Sequence, residues 1–103
     1  MPYLQLDVND RYSTEDKKRL AARLCDTYSR MMSVDIRRIS IAIRELGEGG
    51  VWRTIDGEPV PVSVLMCDIR RGRPAADLRM EVAKALCRDC IDVLGLRQDR
   101  VRS

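Results

Sequence analysis

The sequence contains no histidine and no phenylalanine, and it has only one tryptophan in 103 residues. The lack of histidine excludes most catalytic triads and removes both the usual general base and the commonest zinc ligand. No apolar run is long enough to cross a membrane, and the first residues lack the basic and then apolar profile of a signal peptide. We therefore expect a cytoplasmic protein with no metal, no other cofactor and no membrane partner.

Lysine is also scarce, because 16 of the 19 basic residues are arginine. The net charge of +3 is spread along the chain and is too weak to indicate a nucleic-acid partner. Arginine has a planar fork of donors that suits carboxylate and phosphate groups, whereas GC-rich coding would enrich arginine everywhere. Both explanations stay open at this point.

Four cysteines are present, at positions 25, 67, 87 and 90. Cys87 and Cys90 form a C-x-x-C pair, but the pair lies inside a helical pattern. A redox motif of this kind would stand at a helix start that follows a strand. We interpret the cysteines as reduced thiols in the core or on a helix surface.

Hydrophobic periodicity divides the first half into a strand, a helix and a strand. Apolar residues alternate over 3–8 and over 39–43, and they recur at helical spacing over 14–32. Ser13 is suited to cap this helix. Because a helix joins the two strands, we expect them to be parallel.

The second half has the same pattern after a glycine-rich linker. The linker, 47–59, has turn signals and predicts a short hairpin. A strand follows over 60–68, with Val60, Val62, Val64 and Met66 on one face. Pro74 is suited to open a second helix and Gly95 to end it. Residues 99–103 have the pattern of the beginning of a fourth strand.

The two halves also match residue by residue. A proline and an arginine nine residues apart open each half, at Pro2 and Arg11 and again 59 positions later at Pro61 and Arg70. Arg38-Ile39 matches Arg100-Val101 at a separation of 62. Because the separation grows from 59 at the first strand to 62 after the helix, the second half is predicted to have about three extra residues near its helix.

We therefore predict one α/β (α+β) domain of two fused β-α-β units, 2–46 and 60–103, joined by the linker 47–59. Four strands form one sheet with both helices on one face, and the fourth strand ends early at Ser103. The other face needs cover, which predicts a homotrimer. The residues assigned to that face are Ser40, Ala42, Ser63 and Leu65.

Pro2 is the main catalytic candidate. Methionine is commonly removed before proline, and its removal would leave a secondary amine that titrates near neutral pH and can act as a base. An ordinary Met-Pro start is the alternative. If Met1 stays in place, the Pro2 nitrogen is a tertiary amide and cannot act as a base.

A strand that starts at Pro2, a loop that carries Arg11 and a β-α-β unit written twice resemble the tautomerase superfamily, the 4-oxalocrotonate tautomerase-like enzymes. The stretch CDIRRGRPAADLR resembles the cis-3-chloroacrylic acid dehalogenase group, whose R-x-G-R motif falls on Arg70 and Arg73. The resemblance implies a tautomerase/MIF-like fold, a trimer, a catalytic Pro2, and binding of a substrate carboxylate by Arg70 and Arg73. A solvated basic loop is the alternative for the two arginines.

Other family positions match less well. Tyr28 stands where the dehalogenase has a histidine, but it also lies on the apolar stripe of the first helix, so it belongs either to the site or to the core. The second-strand arginine of the small tautomerases falls on Ser40, and Arg38 is two residues away. The later tyrosine and the water-activating glutamate of the dehalogenase would fall at or beyond Ser103.

The resemblance implies an isomerase that interconverts the keto and enol forms of small 2-oxo or unsaturated carboxylates. The dehalogenase or hydratase reaction, which needs a carboxylate to activate water, and a malonate semialdehyde-type decarboxylase reaction are alternatives. A trimeric binding module without catalytic activity is the alternative outside the enzymes. The sequence does not specify the substrate.

Overall fold

The computed structural model describes residues 2–68 and 76–103. Within these residues the chain forms an α+β fold. The elements are β1 (Tyr3–Val8), α1 (Thr14–Met32), β2 (Ser40–Glu45), β3 (Trp52–Ile55), β4 (Glu58–Pro61), β5 (Ser63–Asp68), α2 (Ala76–Leu94) and β6 (Val101–Arg102). Neither helix in the described ranges is long and apolar enough to cross a membrane.

The main sheet has the strand order β2-β1-β5-β6. β1 is parallel to β2, β5 is parallel to β6, and the central pair β1 and β5 is antiparallel. Each parallel pair is joined through a helix, as the sequence predicted. The predicted α+β fold, with a four-stranded sheet made from two β-α-β arrangements, is confirmed.

The elements of the two β-α-β units correspond closely along the chain. Both helices have 19 residues, and α2 starts 62 positions after α1. The 3-10 helices Ile36–Arg38 and Gln98–Arg100 precede β2 and β6 and are also 62 positions apart. β5 starts 60 positions after β1. The pairing registers, however, make Tyr3, which is opposite Ser40, equivalent to Val64, which is opposite Arg102, an offset of 61 positions. The second unit therefore has one extra residue between its strand and its helix, where the sequence comparison predicted about three.

The start of α1 and the end of α2 follow the predicted signals, whereas Pro74 lies outside the described residues. The Ser13 hydroxyl accepts a hydrogen bond from the Asp16 amide over 3.1 Å, which satisfies one of the free N–H groups of the first turn of α1. Gly95 follows α2 with a φ of 69°, and its N–H donates to the carbonyl of Ile91 over 2.9 Å. Glycine adopts this left-handed conformation without a steric cost.

The core lies between the helices and one face of the sheet. Leu4 and Leu6 of β1 pack against Leu20 and Leu24 of α1, and all four are fully buried. Removing each such side chain from water stabilises the fold by roughly 1.5–3 kcal/mol. The helices therefore cover only one side of the sheet.

The assignment of faces in β5 was wrong. Leu65 pairs with Leu6 and is 1% exposed on the helix side, whereas Met66 is 50% exposed on the other face. Ser63 is buried as well. The strand is apolar from Val64 to Cys67, so alternation could not distinguish its two faces, and pairing with β1 decides the register.

The predicted strand over 60–68 is two strands. β4 pairs with β3 in a separate ribbon, and β5 begins only at Ser63. Pro61 ends β4 in this two-stranded ribbon, where a missing N–H is tolerated. The ribbon turns at Asp56 and Gly57, which both have positive φ.

Candidate functional site

Pro2 directly precedes the strand β1, which lies between β2 and β5 in the sheet. The amide of Ser40 donates a hydrogen bond to the carbonyl of Pro2 over 3.1 Å. Tyr3 is paired with Ser40 of β2 on one side and with Asp68 of β5 on the other. Pro2 is half-buried. The carbonyl of Pro2 is therefore held at the start of β2, and the next residue, Tyr3, is paired with strands on both sides.

The 3-10 helix before β2 carries two arginines with different surroundings. Arg37 donates to both carboxylate oxygens of Asp35, over 3.2 and 2.9 Å. This hydrogen bonding lowers the pKa of Asp35. Arg38 is exposed, and no side chain among the described residues bonds with its guanidinium group. Arg38 stands two residues before Ser40 and is therefore a cationic residue near Pro2. Its charge interacts with Asp35 through space, but no carboxylate within the described part of the chain forms a direct ion pair with it.

Arg70 and Arg73 lie outside the residues that the structure describes. The described chain leaves the sheet at Asp68, opposite Tyr3, and resumes at Ala76 in α2. The carboxylate-binding role of the two arginines stays a prediction.

Arg11 lies at the other end of β1. It is exposed beside Tyr12, whose amide donates to Glu45 over 2.7 Å at the end of β2. The six residues of β1 separate it from Pro2 by about 20 Å. Arg11 and Pro2 of the same chain therefore do not share a site.

Tyr28 lies in the core. It is 2% exposed and belongs to the buried cluster that contains Leu4 and Leu24. Tyr28 stands in the last half of α1, which runs back toward the Pro2 end of β1. Its burial is what the core interpretation expects, and its side chain does not line an open surface.

Comparison with known proteins gives matches only among solved structures, since no protein-family model and no curated protein matches the chain. The structure of Pt0534 inactivated by 2-oxo-3-pentynoate is similar with a TM-score of 0.80 at 22% identity, over 97% of this chain and 80% of that one. The asymmetric trimer of the fused 4-OT F6 is similar with a TM-score of 0.81 at 18% identity, over 97% and 80%. N1, a member of the cis-3-chloroacrylic acid dehalogenase family, is similar with a TM-score of 0.80 at 17% identity, over 97% and 70%.

The chain has the fold of the tautomerase superfamily. The predicted resemblance is thus confirmed at the level of the fold, since nearly the whole chain superimposes on these proteins. The reaction and the substrate remain the subject of the proposal below.

The cysteines in this tautomerase fold are free, and Cys90 is buried whereas the other three are half-buried. Burial raises the pKa of Cys67 to about 11 and that of Cys90 to about 12. Burial also raises the pKa of Cys87. These thiols are protonated at neutral pH, and a protonated thiol is a poor nucleophile and a poor metal ligand. The interpretation of the C-x-x-C pair as reduced thiols in the core or on a helix surface agrees with these surroundings.

Sequence reasoning missed a cleft at the opposite end of β1 from Pro2. The cleft has a volume of about 550 Å³, and its lining includes Arg97 and Arg100. The sequence signal for this cleft is the match of Arg38-Ile39 with Arg100-Val101, because it makes Arg100 the counterpart of Arg38 in the second unit.

Proposed function

We propose that the chain is an isomerase that interconverts the keto and enol forms of small 2-oxo carboxylates, with the amine of Pro2 as the acid and base. The observation that carries the proposal is the position of Pro2 at the start of the central strand in a tautomerase fold. The next residue, Tyr3, is paired with Ser40 and with Asp68. Along the chain, the arginine candidate Arg38 precedes Ser40, and the candidate Arg70 follows Asp68. The proposal requires that the mature chain begin at Pro2.

In the proposed reaction, the unprotonated Pro2 nitrogen removes a proton from the carbon next to the ketone. The electron pair moves to the carbonyl oxygen, and the ammonium then gives its proton to that oxygen, which forms the enol and restores the free amine. In the reverse direction the amine takes the proton from oxygen and returns it to carbon. A secondary amine that titrates near neutral pH is suited to both steps. With no histidine in the sequence, no imidazole is present to serve as this base.

Arginines would bind the carboxylate and stabilise the negative charge of the enolate. Arg70 and Arg73 are the proposed pair, because they follow β5 at the end where Pro2 lies. Arg38 is the proposed third cation, because its guanidinium has no ion-pair partner among the described residues. Arg37 is bound by Asp35 and is not assigned to the substrate.

We also propose that the protein is a homotrimer. Several similar structures are described as trimers of fused 4-OT proteins. On the sheet face away from the helices, Tyr3 is 42% and Met66 is 50% exposed. Burial of such side chains against other copies would remove apolar surface from water.

Labelling with 2-oxo-3-pentynoate tests the proposed role of Pro2. The reagent is a conjugated alkynyl ketone, so a free amine adds to the alkyne, a C–N bond forms, and the amine proton moves to carbon. We expect the intact mass first to correspond to a chain without Met1 and then to rise by one reagent molecule. Peptide mapping should place the adduct on Pro2. A chain that retains Met1, or an adduct on a cysteine alone, would contradict the proposal.

Two arginine variants provide a matched comparison for binding of the carboxylate. Arg38→Met should slow labelling and turnover of phenylpyruvate, because it removes a cation at the Pro2 end. Arg37→Met should leave the KM for phenylpyruvate unchanged, because Asp35 already binds that guanidinium. Equal effects of the two variants would show that Arg38 has no specific role in binding.

A further inference from the structure

The cleft at the far end of β1 is open to solvent and has mixed walls. It lies where the start of β5, the end of α2 and the loop after β1 meet the loop before β3. Its volume is about 550 Å³. The apolar part of the lining includes Pro61, Val62, Leu94 and Leu96. This space accommodates a small organic molecule.

Asn9 fixes the walls of this cleft through four hydrogen bonds. Its Oδ1 accepts from the amides of Gly50 and Val51 over 3.0 and 2.9 Å. Its Nδ2 donates to the carbonyls of Val51 and Val62 over 3.3 and 3.0 Å. One side chain therefore joins the end of β1, the loop before β3 and the start of β5. The cleft is held open by these bonds before any ligand is present.

The cleft is the counterpart, in the second β-α-β unit, of the Pro2 end of the sheet. Val64 pairs with Arg102 as Tyr3 pairs with Ser40, so Ser63 occupies the position equivalent to Pro2. Arg100 ends its 3-10 helix as Arg38 does, 62 positions earlier. In each unit, the start of the first strand therefore lies at the same end of the sheet as an arginine that ends a 3-10 helix.

One part of the counterpart cannot perform acid–base chemistry. The nitrogen of Ser63 is a backbone amide within the chain, and the amide of the preceding residue, Val62, donates to the carbonyl of Val51 over 3.2 Å. An amide nitrogen is not a base, because its lone pair is delocalised into the carbonyl. The cleft therefore offers binding groups without the amine that the reaction needs.

Among the polar side chains that line the cleft, Arg100 is the best candidate to bind a ligand, because its guanidinium donors are not used by the described residues. It is half-buried in the lining, and no described residue forms an ion pair or hydrogen bond with its guanidinium. Arg97 also lines the cleft, but it donates to both oxygens of Asp99 over 3.1 and 2.8 Å. Ser63 is 8% exposed in the lining, and no described group bonds with its hydroxyl.

We propose that this cleft binds a small monocarboxylate with an apolar body and does not convert it. Arg100 and the Ser63 hydroxyl donate to the carboxylate, and the apolar wall from Val62 to Leu96 packs against the rest of the molecule. Asp10 and Glu48 also line the cleft, and they select against dicarboxylates by repulsion. The site is independent of whether Pro2 is catalytic.

Titration of the ¹⁵N-labelled protein with phenylacetate tests the proposal, because phenylacetate has this chemistry and no ketone. The amides of Gly49 and Gly95 line the cleft, and Gly57 in the ribbon turn is a distant reference. We expect saturable shifts at Gly49 and Gly95 and none at Gly57. Prior labelling of Pro2 with 2-oxo-3-pentynoate should leave these shifts unchanged.

Arg100→Met should weaken phenylacetate binding at the cleft by about tenfold or more, since it removes charge-assisted hydrogen bonds. Arg97→Met is the matched control and should change the Kd less than threefold. The proposal is overturned if Gly49 and Gly95 do not shift, or if Arg100→Met binds as the original protein does. Tighter binding of phenethylamine than of phenylacetate would also overturn it, since Asp10 and Glu48 would then dominate the site.

Discussion

Thr27 of α1 and Asp89 of α2 form a buried polar contact between the two helices. The Thr27 hydroxyl donates to the Asp89 carboxylate over 2.6 Å, and the two residues are 62 positions apart. They are therefore equivalent residues of the two β-α-β units, meeting where the units face each other. Each is 5% exposed, so water has little access to the bond. The second oxygen of Asp89 lies 3.3 Å from Nε of Arg23.

Thr27→Val keeps the shape of the side chain and removes its hydroxyl. One oxygen of a buried carboxylate then has no donor, which costs about 1–3 kcal/mol in the free energy of unfolding. For a domain of this size, a loss near 2 kcal/mol lowers Tm by roughly 8–16 °C. Urea and thermal unfolding followed by circular dichroism measure both quantities, at one fixed protein concentration because self-association would add to the stability.

Thr54→Val is the matched control, because Thr54 is exposed on β3. The same chemical change there should alter the free energy of unfolding by no more than about 0.5 kcal/mol. A double-mutant cycle with Asp89→Ala should give a coupling energy of about 0.5–3 kcal/mol. Equal effects of Thr27→Val and Thr54→Val would refute the assignment of the helix contact to this hydrogen bond.

Three other predictions concern the site, the assembly and the acid stability. Arg73→Ala should lower kcat/KM by the equivalent of about 2–4 kcal/mol if Arg73 binds the carboxylate, whereas unchanged kinetics on any accepted acid would assign this residue to solvent. Light scattering should give three times the mass of one chain, and a monomer at micromolar concentration would contradict the homotrimer. The hydrogen bonds from Lys17 and from the Tyr12 amide lower the pKa of Glu45 from its ordinary value of 4.5. These bonds therefore stabilise the fold fully at pH values above 4.5, and the stabilisation is lost as the pH falls through the lowered pKa of the folded protein. Glu45→Gln should therefore reduce the loss of stability between neutral pH and pH about 3, and an unchanged loss would exclude this contribution.

The sequence predicted the elements best where the local signals agreed with one another. The predicted helix over 14–32 matches α1, because the Ser13 cap and the apolar stripe point to the same boundaries. In β5 the local signal was insufficient, because apolar residues occupy both faces from Val64 to Cys67. Only pairing with β1 determines which of them face the helices. Prediction of that register required the tertiary structure.

The site was less accessible to sequence reasoning than the fold. Pro2 and the Arg70–Arg73 motif were predicted from the resemblance, and the two arginines lie outside the described residues. Arg37 and Arg38 have different surroundings because the Asp35 carboxylate accepts hydrogen bonds from Arg37 and not from Arg38. The cleft near Arg100 arises only when the loop before β3 is fastened to Asn9, a residue 41 positions earlier than Gly50. A contact of that range leaves no local pattern in the sequence.

The most direct test of the proposed function compares two forms of the protein in one tautomerase assay. The first begins at Pro2, as verified by intact mass, and the second has a glutamine inserted between Met1 and Pro2, so that the proline nitrogen is an amide. With phenylpyruvate or 2-hydroxymuconate as substrate, the first form should be active, and its rate should rise with pH as the amine loses its proton. The second should be slower by at least about 10²-fold, the usual minimum for loss of a general base, with an unchanged circular dichroism spectrum. Equal activity of the two forms would contradict the role assigned to Pro2.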